Sequence, residues 1–237
     1  MEATRREFIV AGLGLAVAGC ASQTRSGMAR PGPLWPQLPP RPQARGGSVT
    51  VGPTPNVTTP YIPSPISAIP RSQWTQRGPI KSRINTMGKI SQITVHHEGW
   101  TAVWFSDYRS TVARLQLIQR THFDRRWADI GYHYIVDRGG RLWEGRSVQY
   151  QGAHVPGHNE HNVGVMVLGN FELQRPTDAQ MATLQDTLVQ LRRRYNVPIS
   201  HVHTHQELTP TKCPGKALQP QMVAMRHNGM LSLAMAH

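Results

Sequence analysis

From Ile90 onward the apolar positions fall into two rhythms, one suited to strands and one to helices. Ile90 to His96 carries Ile90, Ile93, Thr94 and Val95, a β-branched run that predicts a strand. A helical stripe follows from about Asp107 to Arg120, with Val112, Leu115 and Ile118 on one face and Asp107 placed to cap the first turn. Gly131 to Asp137 and Leu142 to Gly145 predict two strands joined by a turn over Arg138 to Arg141, which contains Gly139 and Gly140. Asn162 to Leu168 is a continuous apolar run, the kind of strand buried on both faces. A second amphipathic helix begins after Thr177, with Met181, Leu184, Leu188 and Leu191 at helical spacing. Ile199 to His203 predicts a last short strand, followed by a loop holding Thr209, Pro210, Cys213, Pro214 and Gly215. This alternation predicts an α/β or α+β domain, with a mixed central sheet and helices on its faces.

Neither rhythm is present before Arg71. Of the 19 prolines, 12 lie between residues 21 and 70, where too few apolar positions recur to offset the entropy of ordering a core. Residues 21–70 therefore read as a linker, 71–225 as one compact domain and 226–237 as a tail. Residues 1–20 read as a targeting segment. Thr4, Arg5, Arg6, Glu7, Phe8 and Ile9 resemble a twin-arginine export signal, and the apolar run from Phe8 to Gly19 is too short to span a bilayer. The run closes on Leu15, Ala16, Val17, Ala18, Gly19 and Cys20, which resembles a lipoprotein cleavage box. Cys20 is then the acylated first residue of the mature chain, an exported, cell-envelope protein held at a membrane by lipid. Cys213 is left without an intramolecular disulfide partner.

The formal net charge of +13 is spread along the chain, about +4 before Arg71 and +9 from there on. A diffuse positive surface suits an anionic wall or membrane. No basic helix with interleaved aromatics appears, so nucleic acid is not an expected partner. Chemistry is signalled by the 12 histidines. His96 and His97 close the first strand, His201, His203 and His205 follow the last, and Cys213 lies eight residues beyond His205. Two imidazoles and a thiolate on neighbouring strand ends supply three of the four ligands of an open, catalytic zinc site. A histidine-rich loop is also an ordinary polar surface, and spacing alone leaves both readings open.

The order of local signatures adds a resemblance. Ile93 to His97 (ITVHH), Ile118 to His122 (IQRTH), Asp129 to Tyr134 (DIGYHY), Gly139 to Gly145 (GGRLWEG), Gly152 to His154 (GAH), Gly157 to Asn159 (GHN), Asn162 to Leu168 (NVGVMVL) and His205 to Gly215 (HQELTPTKCPG) stand in one order along the chain. Together they resemble the type 2 N-acetylmuramoyl-L-alanine amidases, which include the peptidoglycan recognition proteins and the phage amidase-lysozymes. The resemblance implies hydrolysis of the amide between N-acetylmuramic acid and L-alanine in peptidoglycan, the alternative being a non-catalytic peptidoglycan-binding module.

It also implies zinc held by His96, His205 and Cys213, with Tyr132 beside the metal and Thr211 contributing to oxyanion stabilisation. His97 is expected on the opposite face of its strand. His154 and Asn159 are expected to line the groove and contact substrate. Two positions depart from the family pattern. Glu98 stands where threonine or serine is usual, and reads as a partner of the ligands, a general base or a surface residue. Met166 occupies the position at which one branch carries a glutamate base, so that base is absent.

Overall fold

The computed structural model describes residues 66–232. Five strands form its sheet: Gln92–His97 (β1), Tyr134–Val136 (β2), Leu142–Glu144 (β3), Asn162–Val167 (β4) and Val202–Thr204 (β5). Their order is β3-β2-β4-β1-β5. All neighbours are parallel except β2 and β3, which form the expected antiparallel hairpin. The helices are Tyr108–Asp124 (α1), Asp178–Tyr195 (α2), His205–Leu208 (α3) and Gln219–His227 (α4).

Both long helices start where the sequence puts their caps. Asp107 Oδ1 accepts from the Ser110 amide at 2.8 Å, and Thr177 forms a reciprocal capping box with Gln180. α1 runs four residues past the expected Arg120 and carries His122 into the buried face. Two strands start three residues later than expected, β2 at Tyr134 and β5 at Val202. Gly131 to His133 stay outside β2 because the Gly164 amide donates to the His133 side chain, Nδ1 at 2.9 Å. At the other site Pro198, with φ near −66°, leads into a single 3-10 turn over Ile199–His201 before β5 begins.

Strand alternation divides the core into two layers. Ile93 and Val95 of β1, with Val163, Val165 and Val167 of β4, pack against Leu184, Leu188 and Leu191 of α2 and Met222 and Met225 of α4. On the other face Ile135 and Met166 meet Leu115 and Ile118 of α1, with Trp74 and Trp143 completing the layer. The packed chain also exceeds the limits read from the sequence. Ile69 exchanges backbone hydrogen bonds with Leu142 and Glu144 beside β3, and Leu231, fully buried, offers its carbonyl to Arg192. Residues 1–20 and Cys20 lie outside the described residues.

Candidate metal centre and active site

β1 sends alternate side chains to opposite faces. His97 turns toward the α2 and α4 layer, where its Nδ1 accepts from the Phe171 amide at 3.2 Å. His96 turns toward α1, in register with Met166. β5, paired on the other side of β1, delivers His205 at the start of α3. The loop after α3 returns Cys213 to the end of β1, where its Sγ accepts from the His97 amide at 3.4 Å.

These three residues converge. One ligand atom each from His96, His205 and Cys213 lies within 4.8 Å of the others, and His96 Nδ1 is 3.6 Å from Cys213 Sγ. Around a tetrahedral ion with Zn–N of about 2.0 Å and Zn–S of about 2.3 Å, such a pair stands about 3.5 Å apart, so the donor set and its spacing fit zinc. Burial, followed by the neighbouring His154 and His205, holds His96 well below the usual imidazole range. Burial also lowers His205 and pushes the Cys213 thiol up to about 12. Two neutral imidazoles are ready ligands, whereas a thiol so disfavoured as a free anion needs a cation beside it to ionise.

Tyr132 stands beside this group, its ring centroid 5.3 Å from that of His96. Burial first, then Cys213 and Glu98, raises its pKa, which keeps the hydroxyl a donor at neutral pH. Its position is set from α1: His122 packs 4.5 Å from Trp127 and 5.9 Å from Tyr132, ring to ring, while its Nδ1 accepts from the Gly131 amide at 3.0 Å.

Glu98 is not a surface residue; its side chain is 2 % exposed and charge-paired with Arg114 of α1. The carboxylate receives no well-directed hydrogen bond, and burial raises its pKa against the opposing pull of Arg114. Arg114 also lies over the Trp100 ring, so the pair ties the segment after β1 to α1. Thr211 is exposed, and its hydroxyl accepts from the Cys213 amide at 3.2 Å, shaping the loop that carries Cys213.

The expected groove contacts are placed differently. His154 is only 6 % exposed and sits behind His96, with Nδ1 3.1 Å from His96 Nε2. It supports the site from within instead of lining its mouth. Asn159 uses its side-chain oxygen to accept from the amides of His154 and Val155 at 2.8 and 3.0 Å, holding the GAH loop. It also borders a pocket of about 250 Å³ shared with Arg83, Arg126 and Arg146. His201 and His203 stack on each other with ring centroids 6.3 Å apart. Trp143 is fully buried, as a core residue should be, and Trp104 is exposed under Arg138.

The sequence pattern of the N-acetylmuramoyl-L-alanine amidase family matches residues 86–216, more than half of the chain. A human N-acetylmuramoyl-L-alanine amidase is 34% identical over 153 residues, 63% of this chain and 26% of that protein. The chain thus spans about a quarter of the length of that relative. A peptidoglycan-recognition protein of Drosophila simulans is 33% identical over 153 residues, covering 63% of this chain and 82% of that one. Among solved structures, a Drosophila PGRP-LB mutant in complex with tracheal cytotoxin superposes with a TM-score of 0.61 at 22% identity, over 66% of this chain and 93% of that one. Because the family's pattern covers more than half of the chain, the chain belongs to the N-acetylmuramoyl-L-alanine amidase family.

Proposed function

We propose that the protein is a zinc-dependent amidase that cleaves the amide between N-acetylmuramic acid and the L-alanine of the stem peptide in peptidoglycan. The observation that carries this reading is the convergence of His96, His205 and Cys213, one ligand atom of each within 4.8 Å of the others and the His96–Cys213 pair at 3.6 Å, beside the hydroxyl of Tyr132. His96, His205 and Cys213 would hold a zinc ion, which would supply Lewis-acid chemistry for the scissile carbonyl and lower the pKa of water to about 7. Tyr132 donates its hydroxyl to the oxygen on which charge develops. Thr211 orders the loop that presents Cys213 and stands as a further hydroxyl donor on that loop. Glu98, locked to Arg114, holds the segment after β1 in place. The raised affinity of its carboxylate for a proton keeps it the alternative base.

Retention of the cysteine favours the enzyme over a binding module, because a thiolate is the strong member of this ligand set. The test is digestion of purified peptidoglycan by the full chain, with and without a chelator, followed by mass spectrometry of released peptides. New L-alanine amino termini that disappear with the chelator are expected. Retention of muropeptides with no released stem peptide identifies a recognition module instead. The twin-arginine-like stretch and the LAVAGC ending support a further part of this reading, that the mature protein is a cell-envelope lipoprotein acylated at Cys20 and tethered by the proline-rich segment that precedes the packed domain.

A further inference from the structure

His154 occupies a slot built for a planar ring. A Cβ placed on Gly164 of β4 would lie 2.6 Å from its Cδ2, and one on Gly152 would overlap the same ring edge. Both positions are open only because glycine stands there. His133 forms a third wall, with ring centroids 5.7 Å apart, and is itself pinned at both nitrogens, to the Gly164 amide and the Tyr150 carbonyl.

The hydrogen bonds of this ring run in one direction. Along β4 the carbonyls alternate sides, and those of Gly164 and Asn162 face the β2 edge. The Gly164 carbonyl accepts from the His133 amide at 2.9 Å. Two residues earlier, where β2 no longer reaches, the Asn162 carbonyl is 3.3 Å from His154 Nε2. A carbonyl only accepts, so Nε2 of His154 carries the proton. A charged ring in this slot would be an unpaired buried cation, so His154 Nδ1 keeps a lone pair. That lone pair lies 3.1 Å from His96 Nε2, which must therefore be the donor. Nδ1 of His96 is left as the only acceptor on that ring, and it is the atom 3.6 Å from Cys213 Sγ. Asn162 is held firmly enough to anchor the chain, since its side-chain nitrogen donates to Thr94 Oγ1 at 2.9 Å and to the His158 carbonyl at 2.8 Å.

We propose that His154 is a positioning residue: seated between Gly152 and Gly164 and anchored on the Asn162 carbonyl, it fixes the tautomer of His96 so that the Nδ1 lone pair faces the metal position. The proposal rests on the zinc reading for its purpose but not for its geometry. Ligating histidines commonly fix their tautomer through a carboxylate or carbonyl partner, and loss of such a partner costs about 10- to 100-fold in metal affinity. Here a second imidazole is interposed, and the two glycines make room for it.

The test begins with nitrogen-15 spectra of the histidine rings in the metal-free full chain. Protonation of both His96 and His154 on Nε2 is expected, and His96 protonated on Nδ1 overturns the proposal. In a chelator competition, His154→Leu is expected to weaken zinc binding about 10- to 100-fold. His154→Asn, whose amide oxygen approximates the position of Nδ1, should recover most of that loss. A folded His154→Leu protein with wild-type zinc affinity, or no recovery in His154→Asn, also overturns it. Should His154→Leu fail to fold, Gly164→Ala displaces the ring without changing its chemistry and is expected to lower zinc affinity in the same range. The spectra require no metal. A wild-type chain that takes up no zinc while its His96 is protonated on Nε2 therefore defeats the metal reading and leaves the tautomer assignment standing.

Discussion

Tyr132 packs on His96 and Glu98 follows two residues after His96, and in the proposed function their environments give them different work. Burial keeps the tyrosine hydroxyl protonated, so it is a standing donor, whereas Glu98 spends its charge on Arg114. Losing one oxyanion donor costs about a hundredfold to a thousandfold in turnover. Tyr132→Phe is accordingly expected to lower turnover by that factor with zinc content unchanged, as metal analysis and steady-state kinetics on muropeptides will measure. Glu98→Gln is expected to retain most of the turnover and to lose stability, because Arg114 is left without its counter-charge. If Tyr132→Phe keeps more than about a third of wild-type turnover and Glu98→Gln loses nearly all, the two roles are exchanged. A second residue-scale consequence concerns pH. His122 accepts a backbone amide through Nδ1, and burial lowers it from the ordinary 6.5 to about 3. Its contribution to stability is complete above about pH 6.5, where the unfolded chain is also neutral, and is lost as pH falls toward 3 and only the unfolded chain takes the proton. At about 1.4 kcal/mol per unit, the loss amounts to at most about 3 kcal/mol by pH 4. His122→Asn preserves an acceptor for Gly131 but cannot titrate, so urea midpoints should fall less steeply between pH 6.5 and 4 than in the wild type. Equal slopes would remove His122 from the account.

At the scale of elements, the long amphipathic segments were legible and the short ones were not. α1 and α2 announce themselves through Asp107, Thr177 and apolar positions at helical spacing. That His96, His205 and Cys213 belong together was legible too, since they sit in distinctive local segments that the fold then gathers within 4.8 Å of one another. α4 escaped notice although Leu218, Met222 and Met225 follow helical spacing, because it is nine residues long and carries a proline in its first turn. The burial of His154 was invisible for a different reason. It depends on Gly164, which looks like an interruption of an apolar strand until the ring above it is seen. α4 matters to the site because α3, four residues long, cannot hold itself in water. Glu207 of α3 accepts from the Thr204 amide at 2.8 Å and takes two bonds, at 2.6 and 2.7 Å, from Arg226 of α4, which also donates to the Val202 carbonyl. Arg226→Ala is expected to destabilise the domain by about 1–2 kcal/mol, since the pair is charge-assisted but partly exposed. By loosening the turn that carries His205, it should also weaken zinc binding severalfold in a chelator competition. Unchanged zinc affinity would mean that β5 alone positions His205.

For the whole molecule, position relative to the substrate matters as much as the site. The substrate of the proposed reading, peptidoglycan, is an extended, immobile polymer, and an enzyme acting on it would need reach. Residues 21–70 hold 12 prolines, and where such a chain is polyproline-like it extends about 3 Å per residue. The forty-five residues from 21 to 65 would span on the order of 140 Å at that rise, far more than the diameter of a domain of this size. Among the described residues no helix is long and apolar enough to cross a membrane. In the proposed reading the attachment is the lipid on Cys20. The charge of +13, nine of it from Arg71 onward, would add attraction to an anionic wall or leaflet that salt weakens. These two contributions separate experimentally. In cells producing the full chain, the wild-type protein is expected in the membrane fraction before and after a high-salt wash, with mass spectrometry finding an acylated Cys20 as the amino terminus. Cys20→Ser should leave that fraction, or remain only until salt is raised, while still cleaving purified peptidoglycan at the wild-type rate. Membrane retention of Cys20→Ser through the salt wash, or an unmodified amino terminus elsewhere in the wild type, would show that something other than lipid holds the protein. Loss of wall cleavage in cells, with cleavage in solution intact, would locate the function of the anchor in reach and not in catalysis.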